Sequence, residues 1–122
     1  MPDLYLGVDI GGSHISSWVI DEKGQTYNPF SKIGINSEIG PGELIDHIIK
    51  LTGVRFKSFS SGSGIIAVGV ASPGPLDPNA GIIVSPPNLP KIRNFHIAKH
   101  LQLNMGLPVF LINDADAALI GA

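Results

Sequence analysis

The stretch Leu6-Gly7-Val8-Asp9-Ile10-Gly11-Gly12-Ser13-His14-Ile15 decides the fold. An apolar run ends in an acid, a glycine pair follows, and a second apolar run begins at once. Gly-Gly-Ser between two runs of strand length reads as a hairpin turn. The glycine motif therefore lies between two strands. In a dinucleotide fold or a P-loop it lies between a strand and a helix. Working outward, residues 4–10 and 15–20 are the two strands, and Asp21-Glu22-Lys23-Gly24 is a second turn. Residues 25–35 form a third, less regular strand, which Pro29 confines to an edge or a bulge.

Pro41-Gly42-Glu43 opens a helix that the pattern carries to about residue 51, with Leu44, Ile45, Ile48 and Ile49 as its apolar stripe and Gly53 as its stop. Residues 58–64 read as a polar link. Residues 65–70 are a continuous apolar run, as expected of a central buried strand. Two proline-rich loops, residues 72–78 and 85–90, flank a short strand at residues 82–84. Residues 95–103 read as a helix with Ile97, Ala98 and Leu101 on one face. Residues 109–112 are the last strand, and Asn113 or Asp114 is placed to cap a final helix. Trp18 reads as core, and the four histidines, including the His96/His100 pair, read as surface or half-buried side chains. Three antiparallel strands followed by alternating helix and strand predict an α/β layer sandwich on a mixed sheet, in one domain without repeat or linker.

Bulk composition narrows the function classes. A chain of 122 residues with 43% hydrophobic residues is long enough for one real core. The formal charge of −2 shows no basic excess, so neither a nucleic-acid footprint nor a polybasic membrane anchor is visible. No run approaches the roughly 18 apolar residues of a membrane span, and the N-terminus lacks the plan of a signal peptide. There is no cysteine, which excludes disulfides and thiolate metal sites. Together these predict a cytoplasmic protein. The 15 glycines and 10 prolines fall in discrete loops, so they read as turns of specific geometry.

Chemistry concentrates at the strand ends. Asp9 precedes Gly11, Gly12 and Ser13; glycines let a backbone donate N–H groups to phosphate oxygens at close range, and Ser13 adds a hydroxyl. An acid there suits Mg²⁺, which takes few carboxylates and keeps several waters. The same residues also serve a plain tight hairpin. Asn113-Asp114 closes the last strand. Asp114 could accept the proton of an attacking hydroxyl, and Asn113 could orient a neighbouring one, although both residue types also favour helix caps. Gly74 and Asn88 stand in the rigid loops, where turn chemistry alone would also explain them.

In this order the segments resemble the ROK family of sugar kinases and related repressors. The resemblance rests on Val8-Asp9-Ile10-Gly11-Gly12-Ser13, on residues 68–77 through Ser72-Pro73-Gly74-Pro75, on residues 81–90 ending Pro87-Asn88-Leu89-Pro90, and on Leu107-Pro108-Val109 through Asn113-Asp114-Ala115-Asp116-Ala117-Ala118. It covers essentially the whole chain but only the N-terminal half of a typical member. It implies an actin-like, ribonuclease-H-like domain spanning residues 1–122, with the active site in a cleft shared with a second domain. It further implies that Asp9, Gly11, Gly12 and Ser13 form the first phosphate motif, with Asp9 near Mg²⁺. Gly74, Asn88, Asn113 and Asp114 would meet the sugar, and Asp114 would be the general base. The implied reaction is glucokinase-like transfer from ATP to a hexose hydroxyl, in a homodimer when the protein is full length.

The sequence departs from that pattern at three places. Ser13 stands for the usual threonine, Lys91-Ile92 replaces a common Gly-Trp, and the chain ends at Ala122. The second phosphate motif, the adenosine pocket, further sugar ligands and the family's zinc site would all lie beyond it. The fragment alone is therefore expected to be inactive and to expose an apolar face that packs on the other half. The rival readings are a sugar-sensing regulator of the same family, disfavoured by a first strand that starts within a few residues of Met1, and a non-catalytic sugar-binding module, disfavoured by Asp114.

Overall fold

The computed structural model describes residues 4–60 and 65–113. Strands β1 (Leu4–Ile10), β2 (His14–Asp21) and β3 (Thr26–Gly34) come first. Helix α1 (Pro41–Ser60), strand β4 (Ile65–Ser72), the two short strands β5 (Leu76–Asp77) and β6 (Ile82–Ile83), helix α2 (Ile97–Met105) and strand β7 (Val109–Asn113) follow. The main sheet has the order β3-β2-β1-β4-β7. The β1–β2 and β2–β3 pairs are antiparallel, and β1–β4 and β4–β7 are parallel. The expected mixed α/β sheet with three antiparallel N-terminal strands is the one observed.

Local chemistry sets the turns and edges. Asp21, itself buried, accepts the N–H groups of Lys23 and Gln25 at 2.9 Å each and so holds the β2–β3 turn. Strand β3 is a sheet edge, and its pairing jumps from Ser17↔Ser31 to Val19↔Tyr27. Pro29, which has no N–H to give a ladder, falls in the skipped stretch.

Period-two alternation gives the sheet two unlike faces. Leu6, Val8 and Ile10 on β1, Val68 and Val70 on β4, and Val109 and Leu111 on β7 are all buried on one face. Both helices pack against that face, α1 through Leu44, Ile45 and Ile48 and α2 through Ile97, Ala98 and Leu101. Each fully buried leucine, isoleucine or valine among them contributes about 1.5–3 kcal/mol of transfer free energy. The opposite face carries Gly7, Trp18, Ile20, Gly69, Phe110 and Ile112 and is lined as an open apolar groove of about 260 Å³. Phe110 is 62% exposed there. The apolar face expected from the sequence is thus present among the described residues. Trp18 belongs to it rather than to the core: its indole is half-buried and lies across the bare α-carbon of Gly7.

Three element boundaries differ from expectation. Helix α1 passes through Gly53 and runs to Ser60. A glycine inside a helix costs only about 1 kcal/mol, so it need not end one. Helix α2 starts at Ile97, because Phe95 exchanges backbone hydrogen bonds with Ile83 (2.9 and 2.8 Å) and is extended. Strand β5, unforeseen, pairs with β6 across residues 76–83. His96 and His100 are exposed, as expected, and the His100 ring lies 5.2 Å from that of Phe95. The anticipated final helix and most of the polar link lie outside the described residues. No described helix is long and apolar enough to cross a membrane.

Candidate functional site at the carboxyl ends of the parallel strands

Strands β1, β4 and β7 run the same way, so their carboxyl ends share one edge of the sheet. Ligands of open α/β sheets bind outside that edge. Asp9 pairs with Ala71, and Ser72 pairs with Asn113. Asp9 and Asn113 therefore stand in adjacent rows two strands apart, or roughly 10 Å at the usual strand spacing. By alternation Asp9 lies on the groove face and Asn113 on the helix face. The edge thus presents an acid on one side and an amide on the other.

The glycine turn beside Asp9 is tied down at both ends. The Gly11 N–H donates to the His14 carbonyl at 2.8 Å, and the Ile35 N–H donates to the Ser13 carbonyl at 2.8 Å. The Ser13 hydroxyl lies 2.9 Å from Nδ1 of His14, and both side chains are exposed. The turn is consequently a fixed backbone with exposed polar side chains, which suits an anion.

Two of the glycines are used for space. A β-carbon on Gly12 would stand 3.2 Å from Cβ and 3.3 Å from Nδ2 of Asn88. A β-carbon on Gly74 would stand 2.9 Å from Nδ2 of Asn113. Each glycine therefore receives an asparagine amide. Asn88 is presented by a loop whose neighbours Pro86, Leu89 and Ile92 are buried, with Leu89 N–H bonded to the Pro86 carbonyl at 3.1 Å and Ile92 N–H to the Leu89 carbonyl at 3.0 Å. Ile92, at one of the positions where the sequence departs from the family pattern, is wholly buried and belongs to the core.

The structure thus joins Gly12 to Asn88 and Gly74 to Asn113, with Asp9, Gly11 and Ser13 on the same edge. Asp114, the residue expected to act as base, lies outside the described residues. Two residues were missed. Ser72 is fully buried at the end of β4 beside Asn113, where its hydroxyl donates to the Pro73 carbonyl at 3.4 Å. Its position as the last residue before Pro73-Gly74 could have marked it. His14 is exposed, as the sequence reading of the histidines has it, but its place one residue after Ser13 also marks it for the turn.

Among the described residues no group of three histidine or acidic side chains converges on a metal position. A single strand-end acid such as Asp9 would suit only a largely hydrated magnesium ion, one that keeps most of its waters.

The chain matches the ROK family over residues 5–122. The chain belongs to the ROK family. Curated relatives include the glucokinase of Thermotoga maritima, 32% identical over 122 residues, covering 99% of this chain and 37% of that protein. They also include the xylose repressor of Caldicellulosiruptor bescii, 29% identical, covering 95% of this chain and 29% of that protein. The ROK family glucokinase from Streptomyces griseus, solved in complex with glucose and AMPPNP, superposes with a TM-score of 0.81 at 29% identity, over 95% of this chain and 35% of that one. The chain thus spans about a third of the length of the relatives it matches, and its fold is the actin-like ATPase fold of the ROK sugar kinases.

Proposed function

We propose that the chain is the N-terminal part of an ATP-dependent hexose kinase of glucokinase type. The observation that carries this is the packing of Asn88 on Gly12. It sets an amide suited to a sugar hydroxyl directly against a turn suited to phosphate, as phosphoryl transfer between the two requires. The glucokinase relatives, one of them solved with glucose and an ATP analogue, support the choice of substrate and donor.

In this reading Gly11, Gly12 and Ser13 hold phosphate oxygens through backbone N–H groups and the Ser13 hydroxyl. Asp9 orients the waters of a magnesium ion. Gly74, Asn88 and Asn113 fix the sugar, and Asp114 accepts the proton of the hydroxyl that attacks. Magnesium-ATP, when bound, supplies the phosphoryl group and neutralises its charge. Positioning and electrostatics carry nearly all of such a reaction, so the contacts of a complete cleft are needed. We take the 122-residue chain alone to be inactive and the complete protein to work in the cytoplasm.

The xylose repressor relative supports a second reading, a sugar-sensing regulator of the same family. An ATP-coupled phosphorylation assay on the full-length protein carrying this domain separates the two. It would be run over glucose, mannose, fructose, N-acetylglucosamine and N-acetylmannosamine. Turnover on glucose is expected. Sugar binding without turnover on any of the five would overturn the kinase reading in favour of the regulator.

A further inference from the structure

We propose that His14 is a positioning residue for the glycine turn, one that sets whether the Ser13 hydroxyl can donate to a bound phosphate. The inference rests on the phosphate reading of that turn. The side chains lie 2.9 Å apart, Oγ to Nδ1. A hydroxyl has one proton to donate and two lone pairs to accept with. When Nδ1 is bare it takes the Ser13 proton, and the hydroxyl has nothing left for a phosphate oxygen. When Nδ1 carries a hydrogen it donates to Oγ, and the Ser13 O–H is released outward. A phosphate therefore selects the Nδ1–H form of the ring, and the doubly protonated ring supplies that form with a positive charge added.

The backbone makes this pairing persistent. Ser13 and His14 each give their carbonyl to a cross-turn bond, to Ile35 and Gly11 respectively, so the two side chains project from a fixed hairpin. His14 pairs with Gly34 on β3, which offers no side chain to compete. The charged groups that share its face on the neighbouring strands are Asp9 on β1 and Lys32 on β3, both opposite Ser16. They sit one pair further along the sheet and are of opposite sign, whereas His14 lies within hydrogen-bond distance of Ser13 in the turn itself.

The test uses the 122-residue chain and inorganic tripolyphosphate as the probe, read by the backbone amide resonances of Gly11, Gly12 and Ser13. Titrations are run at about pH 8 and about pH 6, on either side of the usual histidine range. The chain with His14 should bind more tightly at the lower pH. His14→Asn keeps a permanent N–H donor at a similar position, so it should bind with a pH dependence reduced to that of the probe itself. His14→Ala removes the ring and leaves the Ser13 hydroxyl free to donate, so it should lose the pH dependence and at about pH 8 bind at least as tightly as the parent chain. The parent chain's pH dependence persisting in His14→Ala or in His14→Asn would overturn the role of His14. Absence of any shift at Gly11 to Ser13 in all three proteins would instead overturn the phosphate reading of the turn, and the inference with it.

Discussion

The side chain of Asn88 rests on the α-carbon of Gly12, so closely that a β-carbon there would lie 3.2 Å from the Cβ of Asn88. Gly12→Ala must push the Asn88 loop outward by a few tenths of an ångström. The loop is anchored by buried Pro86 and Leu89, so the strain falls on the Asn88 amide. We expect a stability loss of about 1 kcal/mol, read by urea denaturation, and a displaced Asn88 side-chain amide resonance. An unmoved resonance would remove the link between the two loops.

Gly74 and Asn113 should respond more strongly. A β-carbon on Gly74 would meet the Asn113 amide nitrogen at 2.9 Å, closer than such atoms are normally found. Gly74→Ala should cost about 1–3 kcal/mol, and the double variant Gly74→Ala with Asn113→Ala should recover part of it. A purely additive pair in denaturation would show that the two residues do not press on each other.

Ser17 offers a test of the core. Its side chain is fully buried opposite Val8, and its hydroxyl has no hydrogen-bond partner among the described residues. Burying an unpaired hydroxyl is unfavourable by about 1–3 kcal/mol. Ser17→Ala should therefore be neutral or stabilising by up to about 1 kcal/mol, whereas Leu44→Ala in the same core should cost about 2–5 kcal/mol. Thermal denaturation of both checks the pair, and a large loss at Ser17 would reveal a bond that the geometry lacks.

The groove face predicts the behaviour of the isolated chain. Phe110 is 62% exposed beside Trp18, Gly7 and Gly69. The chain should bind an apolar dye and self-associate at high concentration. Phe110→Lys should weaken both while leaving the unfolding free energy within about 0.5 kcal/mol. Dye fluorescence and sedimentation measure the first effect, and denaturation measures the second.

Much of the sheet was legible because its strands are bounded by unambiguous chemistry. Gly11-Gly12-Ser13 and Asp21 to Gly24 fix two hairpin turns, and the apolar run from Ile65 to Val70 marks the central strand, although the groove over Ala67 and Gly69 leaves open one of the two faces it was expected to bury. The face of Trp18 was misread because period two alone does not say which side the helices take. Trp18 takes the other side, where the missing side chain of Gly7 makes room for the indole. The start of α2 was misread because the Phe95–Ile83 bridge is a tertiary pairing with no local signal. The site residues could be named one at a time, from strand ends and loops. Their pairing could not, since Gly12 and Asn88, like Gly74 and Asn113, are distant in sequence and meet only once the parallel strands align their carboxyl ends.

In the proposed kinase, Asp114 is the general base. The most direct measurement is the phosphorylation rate and the glucose affinity of the full-length protein carrying Asp114→Asn, compared with the parent. General-base catalysis by a positioned side chain contributes roughly 10²–10⁴-fold. Turnover should fall by that factor, with glucose binding kept within a few-fold. Turnover close to that of the parent would contradict the role of Asp114 as base.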